Sequence, residues 1–328
     1  MSPTTTISVT VRASARLHMG FLDLNGGLGR RFGSLGLSLD ELATTLTAFP
    51  AGQVSAEGPQ SDRAGAYARQ SLTALGIADG AHIQIHQAIP DHAGLGSGTQ
   101  LALAVGTALA RLYEVDWPVS DMAREMNRGA RSGIGLGLFT QGGFVVDGGR
   151  RDEGDPPPVI SRIEFPAQWR VILVLDKTYK GLHGEQEKQA FAALPRFPEA
   201  QAAQLCRLAL MQAMPSLAEQ DLPGFGAAIQ AIQQTVGDHF KPAQGGRFAS
   251  HRVASALTWL ERNGASGVGQ SSWGPTGFAL IDSEIRARSL ARAAAGDFAT
   301  EGLEFMVCSG RNRGAEIRTE AYRAQAHS

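Results

Sequence analysis

The run Ile89-Pro90-Asp91-His92-Ala93-Gly94-Leu95-Gly96-Ser97-Gly98-Thr99 has the composition of an anion cradle. Glycine has no Cβ, so the backbone N–H groups around Gly94, Gly96 and Gly98 can approach an oxyanion closely. The apolar stretch Thr99–Leu112 that follows reads as a helix, and its N-terminus would add positive potential where loop meets helix. Phosphate or pyrophosphate is the ligand chemistry such a loop serves, with Leu95, Ser97 and Thr99 completing it. The spacing is neither a Walker loop nor a GxGxxG nucleotide fingerprint.

Elements that would position this loop can be read from the surrounding periodicity. Residues 7–13 and Ala81–Gln87 alternate as half-buried strands, and Leu35–Leu39 and Leu42–Phe49 read as two more. Ser61-Asp62 resembles an N-cap for a helix closing at Gly76, and Ser120 for one reaching about Arg128. The Gly-rich stretch Gly133–Gly149 holds a strand at Gly143–Val146. Residues 150–158, charged and then Pro-rich, suit an exposed connection, which predicts domains at 1–158 and 159–328. Beyond it come a strand at Val171–Leu175 and helices at Glu185–Ala193, Ala200–Ala213, Leu222–Val236 and His251–Asn263. Strand, helix and strand follow at Phe278–Ile281, Glu284–Ala295 and Leu303–Cys308. The last twenty residues, with Arg311, Arg313, Arg318 and Arg323, read as a solvated tail or capping helix.

Composition excludes several classes. The 328 residues can bury a large core, and a formal net charge of −1 provides no field for nucleic acid or an anionic membrane. Any bound anion must therefore be held locally. Two cysteines, Cys206 and Cys308, lack zinc or disulfide spacing, which points to a reducing, cytoplasmic compartment. The first residues lack a basic start with an apolar stretch behind it, and Leu101–Leu112 is too short to span a bilayer. The 40 glycines exceed the roughly 7% average usage and are clustered, which marks the clusters as the places to look for chemistry.

The loop resembles the second motif of the GHMP kinases, Pro-x-x-x-Gly-Leu-Gly-Ser-Ser-Ala, matched by Pro90, Gly94, Leu95, Gly96 and Ser97. Gly98 and Thr99 depart from it, which puts metal ligation by a second loop serine in doubt. Gly267 to Gly277, containing Gly269, Ser271, Ser272 and Gly274, resembles the superfamily's C-terminal Gly-rich motif, which lies near the phosphate loop in those folds. The resemblance implies an α+β fold with two lobes and a cleft between them, in which Ser271 and Ser272 line the facing loop. Ser132-Gly133-Ile134-Gly135-Leu136 resembles the Ser-Gly-x-Asp-Asn run of mevalonate-type kinases, but Gly135 stands where their catalytic aspartate would be. A glycine can neither orient a hydroxyl nor accept its proton, so phosphoryl transfer by that route loses its base. Asp23, Asp91 and Asp147 are the carboxylates nearest in sequence to a motif.

The segment Ala15 to Gly33, which reads Ala-Arg-Leu-His-Met-Gly-Phe-Leu-Asp-Leu-Asn-Gly-Gly-Leu-Gly-Arg-Arg-Phe-Gly, resembles the β-ribofuranosylaminobenzene 5′-phosphate synthases. That resemblance implies transfer of a phosphoribosyl group from phosphoribosyl pyrophosphate to 4-hydroxybenzoate or 4-aminobenzoate. Carbon dioxide and pyrophosphate are released, on the route to tetrahydromethanopterin in one-carbon metabolism, and magnesium travels with the pyrophosphate. Such chemistry needs cations for the departing charge, and Arg16, Arg30, Arg31, Arg128 and Arg131 neighbour the motif segments, with Arg16 and Arg30 the preferred pair. His18 and His92 are candidate proton acceptors, and Lys177, Tyr179 and His183 cluster at the end of a buried strand. The expected partners are the two substrates, without nucleic acid or membrane, and a homodimer is compatible. Two rivals remain open at this stage: a small-molecule kinase using ATP on the same loop, and a non-catalytic ligand-binding protein on the same scaffold.

Overall fold

Two strands far longer than the usual 5–6 residues frame the molecule: β1 (Thr5–Asp23, 19 residues) and β2 (Phe32–Ala51, 20 residues). They pair antiparallel along most of their length, with register shifts between Ser14 and Ala15 and between His18 and Gly20. Bulges of this kind bend a strand and re-aim side chains. The computed structural model describes residues 5–151, 155–179 and 193–323. The expected helix at Glu185–Ala193, apart from Ala193, and the candidate His183 fall outside the described residues.

Along the chain follow β3 (Ser55–Glu57), α1 (Ser61–Leu75), β4 (Gly80–Gln87), α2 (Ser97–Leu112), α3 (Val119–Glu125), α4 (Ile134–Thr140), β5 (Phe144–Asp147) and β6 (Val159–Ile163). Next come β7 (Arg170–Asp176) and α5 (Glu199–Leu208), which runs through a π turn at Ala209–Ala213 into α6 (Met214–Ala218). The remainder is α7 (Leu222–Gln244), α8 (His251–Arg262), β8 (Gly267–Gln270), β9 (Gly277–Ile281), α9 (Glu284–Asp297), β10 (Leu303–Cys308) and β11 (Glu316–Arg323). The larger sheet runs β11-β1-β2-β4-β3, with β5 pairing both β2 and β6, and the smaller runs β10-β7-β9-β8. The mixed α+β class follows directly. Among the described residues no helix is long and apolar enough to cross a membrane.

One core cluster joins the sheets, since Leu17, Met19, Leu35 and Leu37 share it with Val171, Leu173, Phe278, Ile229 and Ile232. A second cluster places α1 and α2 against Val9, Val11, Leu46 and Ile83. Leu101, Leu103, Val105 and Leu109 of α2 are fully buried there. Each such side chain contributes about 1.5–3 kcal/mol of hydrophobic free energy, so the head of α2 sits on a rigid axis.

Several boundaries differ from those the periodicity predicts, each for a physical reason. Leu35–Leu39 and Leu42–Phe49 form one strand, because Asp40 and Glu41 make no turn; Asp40 meets Arg12 and Arg311, and Glu41 accepts from Ser309. α1 is preceded by Gln60 in a left-handed conformation, so Ser61 lies inside the helix instead of capping it. Likewise Pro118 precedes α3, which takes in Ser120 and ends at Glu125, short of Arg128. Of the expected connection at residues 150–158, residues 152–154 fall outside the described residues; the strands on either side of it, β5 and β6, pair in the larger sheet. The C-terminal arginines are no solvated tail as far as Arg323: β11 pairs β1 over Thr5–Arg12, and Arg311, 3% exposed, is fixed by Asp40 and Glu316.

Candidate active site

The head of α2 opens into a cleft of about 330 Å³. Gly96 caps the helix with φ 79°, and no side chain among the described residues caps it. Leading N–H groups that receive no side-chain acceptor are the feature an anion site requires. Gly94, φ 76°, sits so close to the 271–274 loop that a Cβ there would lie 2.3 Å from the Ser271 carbonyl. Backbone approach that tight is possible only without a side chain, and it packs the two Gly-rich segments against each other.

Ser271 ties these segments to β1. Its Oγ donates to the Gly94 carbonyl at 2.7 Å and accepts the His18 N–H at 3.0 Å. It is fully buried, so it fixes the loop, while its neighbour Ser272 lines the cleft. Arg16 is held twice: its backbone N–H donates to the Leu95 carbonyl at 3.0 Å and its Nη2 to the Gly94 carbonyl at 3.1 Å. Leu95 itself is 1% exposed and faces the core.

The cleft wall opposite carries further cations. Arg128 and Arg131 line it together with Asn127, Ser132 and Gly135. Arg128 donates to the Tyr67 hydroxyl and lies 5.2 Å from the centre of that ring. Arg63, in the first turn of α1, was not among the sequence candidates. Its Nη2 would stand 2.6 Å from a Cβ at position 98, and Arg128 Nη1 3.6 Å from it. The departure from the kinase motif at Gly98 therefore makes room for guanidinium groups at the loop. Arg63 also pairs with Asp91, whose Oδ1 accepts the Ser97 hydroxyl at 3.0 Å.

His18 is 2% exposed, and its buried Nε2 has no hydrogen-bond partner among the described residues. Burial foremost, then the charges of Arg16 and Arg131, hold its pKa well below the ordinary 6.5. The imidazole is thus a neutral acceptor in a basic site. Because the folded pKa is depressed, the unfolded chain takes up the proton first as pH falls, so this contribution to stability is complete above pH 6.5 and is lost below it. Denaturant titrations at pH 7.5 and 5 should show the loss, and His18→Gln should shrink it; an equal loss in the variant would contradict a neutral His18.

Asp147 is fully buried behind this wall. It accepts from Ser132 Oγ at 3.0 Å, Gly133 N–H at 2.9 Å and Gly149 N–H at 2.9 Å, thereby setting the 132–135 segment. Burial raises its pKa against those hydrogen bonds. Asp23 likewise closes a turn, accepting from Asn25 and Gly26. Among the described residues lining the cleft none is a carboxylate, and a Cβ at Gly135 would lie 3.2 Å from Thr99.

Of the sequence candidates, the structure brings Arg16, His18, His92, Gly94, Thr99 and Ser272 to the cleft, with Gly96, Ser97 and Gly98 forming its loop. Arg30 instead donates to the Gly149 carbonyl at 2.9 Å, and Arg31 lines a neighbouring cavity. Lys177 lies elsewhere, 67% exposed and paired with Glu304 at 2.9 Å. Phe21 and Trp273, which also wall the cleft, carried no distinguishing signal in the sequence. No group of three or more His, Cys, Asp or Glu able to hold a metal occurs among the described residues.

Comparison with known proteins matches this architecture. The family described as GHMP kinases N terminal domain matches residues 63–143, and GHMP kinases C terminal matches residues 213–299. The beta-ribofuranosylphenol 5′-phosphate synthase of Archaeoglobus fulgidus is 34% identical over 325 residues, covering 94% of this chain and 98% of that protein. Its counterpart from Methanothermobacter thermautotrophicus is 30% identical over 333 residues, with the same coverage of 94% and 98%. Among solved structures, mevalonate pyrophosphate decarboxylase from Streptococcus pyogenes superimposes with a TM-score of 0.66 at 15% identity, covering 95% of this chain and 99% of that one. Homoserine kinase from Cytophaga hutchinsonii gives 0.64 at 17%, covering 95% and 97%. These two likenesses concern the fold, whereas the synthases match in sequence over most of their length. The chain belongs to the beta-ribofuranosylphenol 5′-phosphate synthase family, built on the GHMP kinase fold.

Proposed function

We propose that this chain transfers the phosphoribosyl group of phosphoribosyl pyrophosphate to 4-hydroxybenzoate or 4-aminobenzoate, with loss of carbon dioxide and pyrophosphate, in tetrahydromethanopterin biosynthesis. The observation that carries the reading is a helix head without a side-chain cap, at a cleft whose described lining residues include no carboxylate and hold Arg16, Arg128 and Arg131, with Arg63 at the loop. That arrangement binds and neutralises a departing pyrophosphate, and fixed donors of this kind stabilise charge that develops in the transition state. It does not offer the carboxylate that a kinase of this fold would need at position 135, which favours glycosyl over phosphoryl transfer.

In this reading the ring carbon bearing the carboxylate attacks ribose C1, forming a C–C bond as the C1–O bond to pyrophosphate breaks and its electron pair leaves with pyrophosphate. The bond to the carboxylate then breaks, its pair restores aromaticity, and carbon dioxide departs. With 4-hydroxybenzoate the hydroxyl proton passes to a neutral imidazole during attack and returns afterwards. His18, buried at the edge of the cleft and neutral, adds no charge that would compete with the arginines. Phe21 and Trp273 limit water at the oxocarbenium-like centre. Magnesium would travel with the pyrophosphate, and Asp91, whose Oδ1 accepts the Ser97 hydroxyl at the loop, would be the carboxylate to help hold it, since Mg²⁺ commonly takes one or two carboxylates plus substrate phosphates.

The test is incubation with phosphoribosyl pyrophosphate, magnesium and carboxyl-labelled 4-hydroxybenzoate or 4-aminobenzoate, with ATP controls. Labelled carbon dioxide is expected with at least one benzoate and only in the presence of phosphoribosyl pyrophosphate. No release with either acid, or turnover of ATP instead, would sink the reading.

A further inference from the structure

Beside the phosphate cleft lies a second, larger cavity of about 790 Å³, and Ala130 and Arg131 line both. Its walls differ in character from the cleft. Phe32 and His239 present rings, with the buried Phe197 backing His239, and Arg31, Arg131 and Arg196 line it as cations. Phe197 and His239 meet edge to face at 4.9 Å between ring centres. Asn25, 7% exposed, fixes the enclosure by donating from Nδ2 to the Phe197 carbonyl at 2.5 Å and accepting the Gly27 N–H at 3.0 Å. Backbone hydrogen bonds of 2.9 Å in both directions between Arg31 and Arg150 close the adjoining wall.

A phosphorylated sugar is polar over most of its surface and offers no flat ring to match these walls. A planar aromatic acid has both a ring for Phe32 and His239 and a carboxylate for the guanidinium groups. Resting on the reaction proposed above, we propose that this cavity is the acceptor subsite and takes a para-substituted benzoate with its carboxylate at the Arg131 wall. That orientation is required by the chemistry, because the carbon carrying the carboxylate must reach ribose C1 in the adjoining cleft. The para substituent then points into the aromatic cavity, where His239 is the imidazole among the described lining residues. Burial lowers the pKa of His239, so it is neutral and able to take the phenolic proton and return it. The two substrates thus occupy separate cavities and meet where Arg131 is shared.

The full chain is tested by calorimetric titration with 4-hydroxybenzoate in the presence of magnesium and pyrophosphate, and separately with pyrophosphate alone. Arg31 and Arg196 are exposed, so Arg31→Ala with Arg196→Ala leaves the core intact. The double variant should bind 4-hydroxybenzoate at least about tenfold more weakly while pyrophosphate affinity stays within about twofold. His239→Gln should lower turnover of 4-hydroxybenzoate more than that of 4-aminobenzoate, whose amine needs no base. Unchanged benzoate affinity in the double variant, an equal loss of pyrophosphate affinity, or no benzoate binding by the parent chain overturns the subsite. Labelled carbon dioxide release reads the reaction independently: release with unchanged benzoate affinity rejects the cavity alone, whereas benzoate binding lost in the double variant without any release rejects the reaction and keeps the cavity.

Discussion

Gly96→Val should lower the affinity for pyrophosphate by at least about 100-fold, some 2.7 kcal/mol. Two causes act together. Gly96 holds φ 79°, a left-handed conformation in which a β-branched residue is a genuine outlier costing on the order of 1–3 kcal/mol. A Cβ there would also lie 3.1 Å from Arg16 Cβ and 3.2 Å from its Nε, so relief of strain must move either the helix head or the arginine. In the proposed site both would hold the anion. Gly96→Ala, with the same Cβ but no branching, should show a smaller loss, and circular dichroism should report an intact α2 in both. Calorimetry with pyrophosphate and magnesium checks the ordering; affinity equal to that of the parent chain in the valine variant would refute the cradle.

Arg16→Ala is expected to weaken pyrophosphate binding by about 1.5–3 kcal/mol, the range for a hydrogen bond to a charged group. The argument rests on position, since the guanidinium lines the cleft and one of its donors is already anchored on the Gly94 carbonyl. That anchor orients the fork before ligand arrives. Arg16→Lys keeps the charge but cannot reproduce the fork, so it should recover only part of the loss. A second readout separates a site role from general loosening. Arg16 is one of the charges that depress the His18 pKa, so its removal should move the His18 titration upward toward 6.5. Histidine ring resonances followed against pH would show it; affinity and His18 titration both unchanged would place Arg16 outside the site.

Much of this site was legible because its chemistry is local in sequence. The Gly94–Gly98 spacing and the apolar stretch behind it specify a loop opening on a buried helix, and the structure starts that helix two residues earlier, at Ser97. The pairing of Gly94 with the 271–274 loop was readable only through the family motif, since nothing local joins segments 177 residues apart. Ser271 shows where motif reading stops. A serine in such a loop suggests ligand contact, yet its Oγ is consumed by Gly94 and His18. Arg63 was hidden for the opposite reason: in the first turn of an amphipathic helix it looks like any solvated cation, and only the missing Cβ at position 98 reveals its reach.

The same division holds for the fold. Alternation identified residues 7–13 and Ala81–Gln87, because one face of each strand is buried. β11 escaped it, since its Glu-Ile-Arg-Thr-Glu-Ala-Tyr-Arg pattern lies at a sheet edge, with charge where a core strand would carry apolar groups. Its partner β1 lies some three hundred residues away, beyond the range of any local signal.

Diffraction from crystals of the full chain soaked with phosphoribosyl pyrophosphate and magnesium tests the central claim most directly. Pyrophosphate oxygens should appear within hydrogen-bonding distance of the Ser97 and Gly98 N–H groups, with the Arg16 fork on the same anion. An anion bound away from the start of α2, with those amides facing solvent, would contradict the account.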